Sequence, residues 1–311
     1  MYYRILFVTS PHKPNKASIM NKKKVCIAAL LIATACITGC KTGQKESAKA
    51  GQEMESSIAE AEELTTDSIV FSENGKGYSC NMKIDFPQGN GKIDEGIKDF
   101  LISALSDFAA CDNPDKPKAE YKGDKNDGKA LLDFYGKQRS KDMGEEYKNL
   151  LEFDNREEEP SPFSFDGSIR LKEEAEKYVT YGIESYVYLG GAHGSSVLRE
   201  VNIIRETGKV LATSVDTTKT KEMQPILRKG VIEYFKECGE DISDDKLNDM
   251  LFINDNTIPL PAITPSLSKN GLKFIYQQYE IGPYALGMVS FTVPYDKIKT
   301  FMTEEAAKLI E

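Results

Sequence analysis

The chain is nearly without histidine: only His12 and His193 occur in 311 residues. A zinc site is therefore not expected, since one imidazole would need an all-carboxylate remainder, an uncommon donor set. The six cysteines show no CxxC or other metal-ligand spacing. No apolar run reaches the roughly 20 residues that a permanent membrane span requires. Repeats of solenoid length are missing, and nothing reads as a dinucleotide-binding βαβ unit. The expectation is a protein without metal or cofactor and with no catalytic residue in evidence.

Basic charge is scarce as well, with 40 Lys and Arg against 49 Asp and Glu. Six of the 40 (Arg4, Lys13, Lys16, Lys22, Lys23, Lys24) fall in the first 39 residues, which hold no acid. Beyond them the balance is about −15, which argues against nucleic acid, because phosphate binding needs clustered Lys and Arg. Such a charge keeps a protein soluble or steers a basic partner toward it.

The same 39 residues have the order of an export signal, a basic stretch followed by the apolar run Val25 to Ile37. Met20, just ahead of Asn21 and three lysines, is the expected true start. The run ends Ile37, Thr38, Gly39, Cys40, which resembles the lipobox of bacterial lipoproteins and predicts lipid on Cys40. The expected address is the bacterial cell envelope, anchored to a membrane and facing periplasm or cell surface. Residues 40–66, rich in Lys, Gln, Glu, Ser, Ala and Gly, read as a lipidated cysteine and flexible tether. Of the cysteines beyond it, Cys80 and Cys111 are candidates for a bridge, and Cys238 reads as a small buried hydrophobe.

From Asp67 onward the pattern is α+β, antiparallel sheets with packed helices in two sub-domains, 67–188 and 189–311. Asn74, Gly75 and Gly77 turn Ser68 to Ser72 into Tyr78 to Phe86, whose alternation puts Tyr78, Cys80, Met82, Ile84 and Phe86 on one face. Ile93, Ile97, Phe100, Leu101, Ala104, Leu105 and Phe108 follow at helical spacing and should pack on that face. A weaker helix spans about 129–151, interrupted near Gly144. An acidic, proline-containing loop at 157–162 leads into an antiparallel meander through Tyr178 to Leu189, Ser196 to Ile204 and, after Thr207 and Gly208, Val210 and Leu211. Helices are expected over 223–238, with Gly239 beyond the end, and over 247–252. Asn270 and Gly271 predict a hairpin between 262–267 and 272–277. A strand over 286–293 and a C-terminal helix complete the chain.

Two clusters carry the candidate site. His193 sits in Gly190, Gly191, Ala192, His193, Gly194 between strong strands, either to contact a ligand or to hold a glycine-rich turn through imidazole hydrogen bonds. The loop matches GxxG, but the acidic chain has no reason to clamp phosphates. It lacks a P-loop lysine, and Ser195 and Ser196 precede a strand where a nucleophile elbow needs a helix. The second cluster is Tyr276, Tyr279, Glu280, Ile281, Gly282, Pro283, Tyr284 and Gly287. Its tyrosines are either a platform for sugar rings or an anchor for a protein partner, or else core residues around a Gly282 and Pro283 turn. Gly191, His193, Tyr279, Glu280 and Tyr284 are the candidate ligand-binding residues.

The segments Tyr181 to Gly194 (YGIESYVYLGGAHG) and Leu272 to Gly287 (LKFIYQQYEIGPYALG), with Thr207, Gly208 and Lys209, resemble domain-of-unknown-function family 4163 followed by family 3298. That pair is similar to the outer part of the RsiV-type lysozyme-sensing anti-sigma factor and to the part beside the catalytic domain in PdaC-type peptidoglycan deacetylases. The resemblance implies a non-enzymatic envelope module that binds or senses a lysozyme-like protein. A peptidoglycan-binding module and an uncharacterised envelope hydrolase are its alternatives. Anti-sigma activity is not implied, because no cytoplasmic segment is recognisable.

Overall fold

The computed structural model describes residues 63–110, 117–153 and 159–311. The export signal, Cys40, most of the tether and Cys111 lie outside the described residues. Among those described, no helix is long and apolar enough to cross a membrane. They all belong to one unit, Ile58–Glu311.

The chain enters the fold at Leu64, two residues inside the expected tether, because this side chain is buried and its N–H donates to Glu174 Oε2 at 3.1 Å. Strands β1 (Thr66–Gly75) and β2 (Tyr78–Pro87) pair antiparallel around Lys76 and Gly77, the latter at φ +78°. The alternating face of β2 is buried from Cys80 to Phe86. Helix α1 (Lys92–Ala110) lays Ile97, Leu101, Leu105 and Phe108 into the same core as Cys80, Met82 and Ile84, the packing the periodicity predicts. Cys80 is a free thiol, and burial pushes its pKa up to about 11.

Helix α2 (Gly128–Phe153) corrects one expectation, for it runs unbroken through Gly144. A Cβ at Gly144 would sit 3.0 Å from the Tyr78 ring, and one at Gly136 would sit 2.5 Å from the Phe71 ring. These glycines let the helix approach the sheet; they do not end it.

After α2 the chain enters β3 (Phe163–Glu174), which lies parallel to β2, with α1 and α2 forming the crossover. Strands β4 (Tyr178–Tyr188) and β5 (Ser195–Ile204) follow antiparallel, giving the order β1-β2-β3-β4-β5. The fold is α+β as expected, but this sheet is mixed because both connecting segments are helical and return the chain to the same end. The 188/189 division falls in the turn between β4 and β5, so β5 completes the first sheet.

The second core gathers around α3 (Gln224–Glu237), α4 (Asp244–Met250) and a three-stranded antiparallel sheet, β6 (Ser266–Ser268), β7 (Gly271–Ile275) and β8 (Ser290–Val293). Short helices α5 (Tyr295–Ile298) and α6 (Glu304–Leu309) close it. The strand expected over 286–293 begins only at Ser290, because Tyr284–Leu286 forms a 3₁₀ turn and Gly287 follows at φ +69°. Cys238, expected to be buried, caps the exposed end of α3.

A buried polar network joins the two cores. Asn202 donates to Thr180 Oγ1 at 2.9 Å and to Leu267 O at 3.0 Å, and its Oδ1 accepts from Leu267 N–H at 2.7 Å. Glu200 of β5 pairs with Lys273 of β7 and accepts from Ser266 Oγ. This fixes β5 against β6 and β7, and so brings the two sequence clusters to one place.

Candidate functional site

The β4 to β5 turn needs two consecutive left-handed residues, Gly190 at φ +89° and Gly191 at φ +95°. Only glycine takes these angles without strain, which accounts for the pair. Gly191 O accepts from Tyr188 Oη at 3.1 Å, anchoring the turn to the strand it leaves. A Cβ on Gly194 would strike the Tyr186 ring, so the glycine lets that ring lie close to the returning backbone.

This geometry delivers His193 to the second cluster, 86 residues away. Nδ1 lies 2.9 Å from Gly194 O and Nε2 lies 3.2 Å from Tyr279 Oη. A carbonyl can only accept, so Nδ1 donates to Gly194 O, and Nε2 is left facing the Tyr279 hydroxyl. The imidazole stacks on Tyr284, with centroids 3.9 Å apart and planes 21° apart, and Tyr279 and Tyr284 are themselves 5.6 Å apart. Tyr284 Oη also donates to Gly194 O at 3.3 Å. Three rings from two distant segments thus make one cluster.

Side chains turned inward hold the loop under these rings. Glu280 Oε1 accepts from Ala262 N–H and Oε2 from Gln277 N–H, both at 2.6 Å. Burial raises its carboxyl pKa, against the lowering effect of the two N–H donors. Tyr276 is fully buried and donates to Pro259 O at 2.8 Å. Gln277 exchanges two bonds with the Leu198 backbone of β5, and Gln278 Oε1 accepts from Ser196 N–H at 3.1 Å. Tyr279 pays for its placement with φ +65°, a left-handed angle that a tyrosine rarely adopts. Tyr279 as a whole remains 51 % exposed.

Of the five candidates, His193, Tyr279 and Tyr284 meet directly, Gly191 shapes the turn beneath them, and Glu280 faces into the loop. Sequence reasoning missed Phe252, which is 63 % exposed and whose N–H donates to Ile281 O at 2.8 Å, so it borders the same loop. Leu189 and Tyr186 are exposed on the β4 side. Beyond Tyr186 a groove of about 770 Å³ crosses the open sheet face past Asp166, Asn81 and Val70, with Met288 and Leu198 at the near end. Neither an apolar residue after a short helix nor an exposed sheet face leaves a periodic signal. Among the described residues no group of His, Cys, Asp and Glu is arranged to hold a metal.

Two family models match this chain. Residues 73–196 match the model described as Deacetylase PdaC, and residues 216–296 match the one described as a protein of unknown function, DUF3298. The chain carries a PdaC-like domain followed by a DUF3298 domain. None of the curated proteins matches it. A solved DUF3298 family member from Bacteroides fragilis superposes with a TM-score of 0.56 at 18% identity, over 80% of this chain and 97% of that one. Another, from Pseudomonas aeruginosa PAO1, gives 0.54 at 14% identity over 79% and 97%. At these identities the likeness is one of fold. The ring cluster lies where the two domains meet: His193 closes the PdaC-like match, and Tyr279 and Tyr284 belong to the DUF3298 domain.

Proposed function

We propose that this is an envelope lipoprotein, lipidated at Cys40 and anchored to a membrane, that binds a cationic, lysozyme-like protein on the surface formed by Tyr279, His193, Tyr284 and Phe252. The convergence of the three rings from segments 86 residues apart carries this reading. Loops that carry exposed aromatics on a rigid support are suited to protein docking, where tyrosine anchors supply much of the binding energy. The charge of about −15 beyond the leader favours a basic partner and speeds encounter with it. Binding without turnover fits the ring cluster, since both imidazole nitrogens are engaged and Glu280 is committed to backbone N–H groups.

Surface plasmon resonance of the protein against lysozyme, in low and high salt, tests the proposal. Binding should weaken as the Debye length falls from about 10 Å at 0.1 M to about 3 Å at 1 M. No binding at low salt, or capture by peptidoglycan and not by lysozyme, overturns it. The anchor is tested separately. Wild type should incorporate labelled fatty acid and Cys40→Ala should not, and an unlabelled wild type that still sediments with membranes contradicts lipidation at this residue.

A further inference from the structure

The five-stranded sheet has two outer edges, and they are finished differently. On β5 the outward backbone is sealed: Ser196 N–H and Leu198 N–H are taken by Gln278 and Gln277, and Leu198 O by Gln277 Nε2. Further along, Leu211 N–H donates to Asn202 O and Ile204 N–H to Lys209 O, each at 2.9 Å. Outer strands left open invite pairing with other chains, and this sealing is one way a fold prevents it.

Strand β1 has no such seal among the described residues. In a hairpin closed by a two-residue turn, Gly75 and Tyr78 form a hydrogen-bonded pair, and bonded pairs then alternate along the ladder. The N–H and C=O groups of Ser68, Val70, Ser72 and Asn74 therefore point away from β2. No described side chain or backbone segment bonds to them, and Val70 in the middle is 59 % exposed. The strand also lacks the usual protections, having no lysine, no proline and an unbroken register of ten residues.

We propose that the β1 edge is a docking site for an extended segment of another protein, which adds as a sixth strand antiparallel to β1. The occupant is basic. Thr66–Gly75 carries two carboxylates, Asp67 and Glu73, and no basic residue, with Ile69 and Phe71 between them on the same face. A complementary strand places Lys or Arg opposite Asp67 and Glu73 and apolar side chains opposite Ile69 and Phe71, since directly opposed pairs dominate sheet energetics. A second copy of this chain fits poorly, because it would bring two further carboxylates and no cation to the seam. Main-chain bonds supply affinity and alternate side chains supply selectivity, as in other strand-addition complexes. This site is independent of the aromatic surface.

Hydrogen exchange on the whole protein, with the peptide Lys-Thr-Val-Thr-Val-Thr-Lys as probe, tests the idea. Exchange at Ser68, Val70 and Ser72, the outward amides that the seven residues span, should slow by roughly tenfold or more while their odd-numbered neighbours, already laddered to β2, change little. A twin peptide with proline in place of the three threonines, whose N–H groups face β1 in this register, should give no protection. Val70→Pro should abolish the effect with the fold intact, since proline is tolerated on an edge strand where its missing N–H faced solvent. Should that variant not fold, Val70→Lys should weaken the peptide at low salt and less so at high salt. The proposal is overturned by no protection at millimolar peptide, by equal protection from the proline twin, or by concentration-dependent dimerisation that protects the same amides without peptide.

Discussion

The two cores of this protein are stabilised by different means. Around α1 and α2 the strands are ten to twelve residues long, and apolar side chains at regular spacing fill the interior. In the DUF3298 half the strands are three to five residues long, and long loops are held by polar side chains bonded to backbone. Gln224 grips Ile258 through both its N–H and its C=O at 2.8 and 2.9 Å, and Arg228 reaches Asp244, Asn248 and Asn256 O. Glu280 and Tyr276 do the same for the loop beneath the rings. Where strands are too short to dictate loop shape, specific hydrogen bonds take over, and the exposed aromatics sit on that second kind of support.

Leu101→Ala should have the largest effect, since Leu101 is fully buried between α1 and the sheet. A loss of roughly 2 to 5 kcal/mol in urea unfolding is expected. A loss below half a kcal/mol would remove the contrast between the cores. Gln224→Ala comes next, at about 1 to 3 kcal/mol, because it strands the Ile258 backbone groups in a partly buried setting. An unchanged midpoint would mean that apolar packing alone holds the second half too.

Glu280 sharpens the comparison through pH. Burial raises its folded carboxyl pKa above the unfolded value, so the folded state holds the proton more tightly. The stability this lends is fully present below the unfolded pKa and is lost as pH rises through the raised folded value. The stability difference between wild type and Glu280→Gln should therefore move against wild type as pH rises from the normal glutamate range toward neutrality. A difference that is flat with pH, or that moves the other way, would show the N–H donors outweighing burial. Smallest of all, Tyr279→Gly should raise stability by up to about 1 kcal/mol through relief of the φ +65° strain, offset by lost ring contacts. A loss above 1 kcal/mol would make the ring a structural prop.

The same contrast explains what was legible in the sequence. The β1 to β2 hairpin, the α1 stripe and the α3 helix follow from apolar periodicity, which records burial directly. The parallel pairing of β2 with β3 left no trace, because register between strands some eighty residues apart is a tertiary property. Gly144 misled as a helix breaker because local propensity says nothing of the Tyr78 ring waiting against it. At the site, glycine and tyrosine composition singled out both loops, and the structure joined them. Gln277, Gln278 and Phe252 were invisible, since a carboxamide sealing an edge and an aromatic left outside the core have no spacing of their own.

The central claim is that the joined loops form a binding surface and do not merely support one another. Affinity for lysozyme, measured beside unfolding stability for Tyr279→Ala and Phe252→Ala, tests it most directly. Each substitution should lower affinity by roughly tenfold or more, as expected for exposed aromatic anchors, with stability changed by no more than about 1 kcal/mol. Affinity that stays at the wild-type level in both variants, or that falls only as the fold itself is lost, would contradict the account.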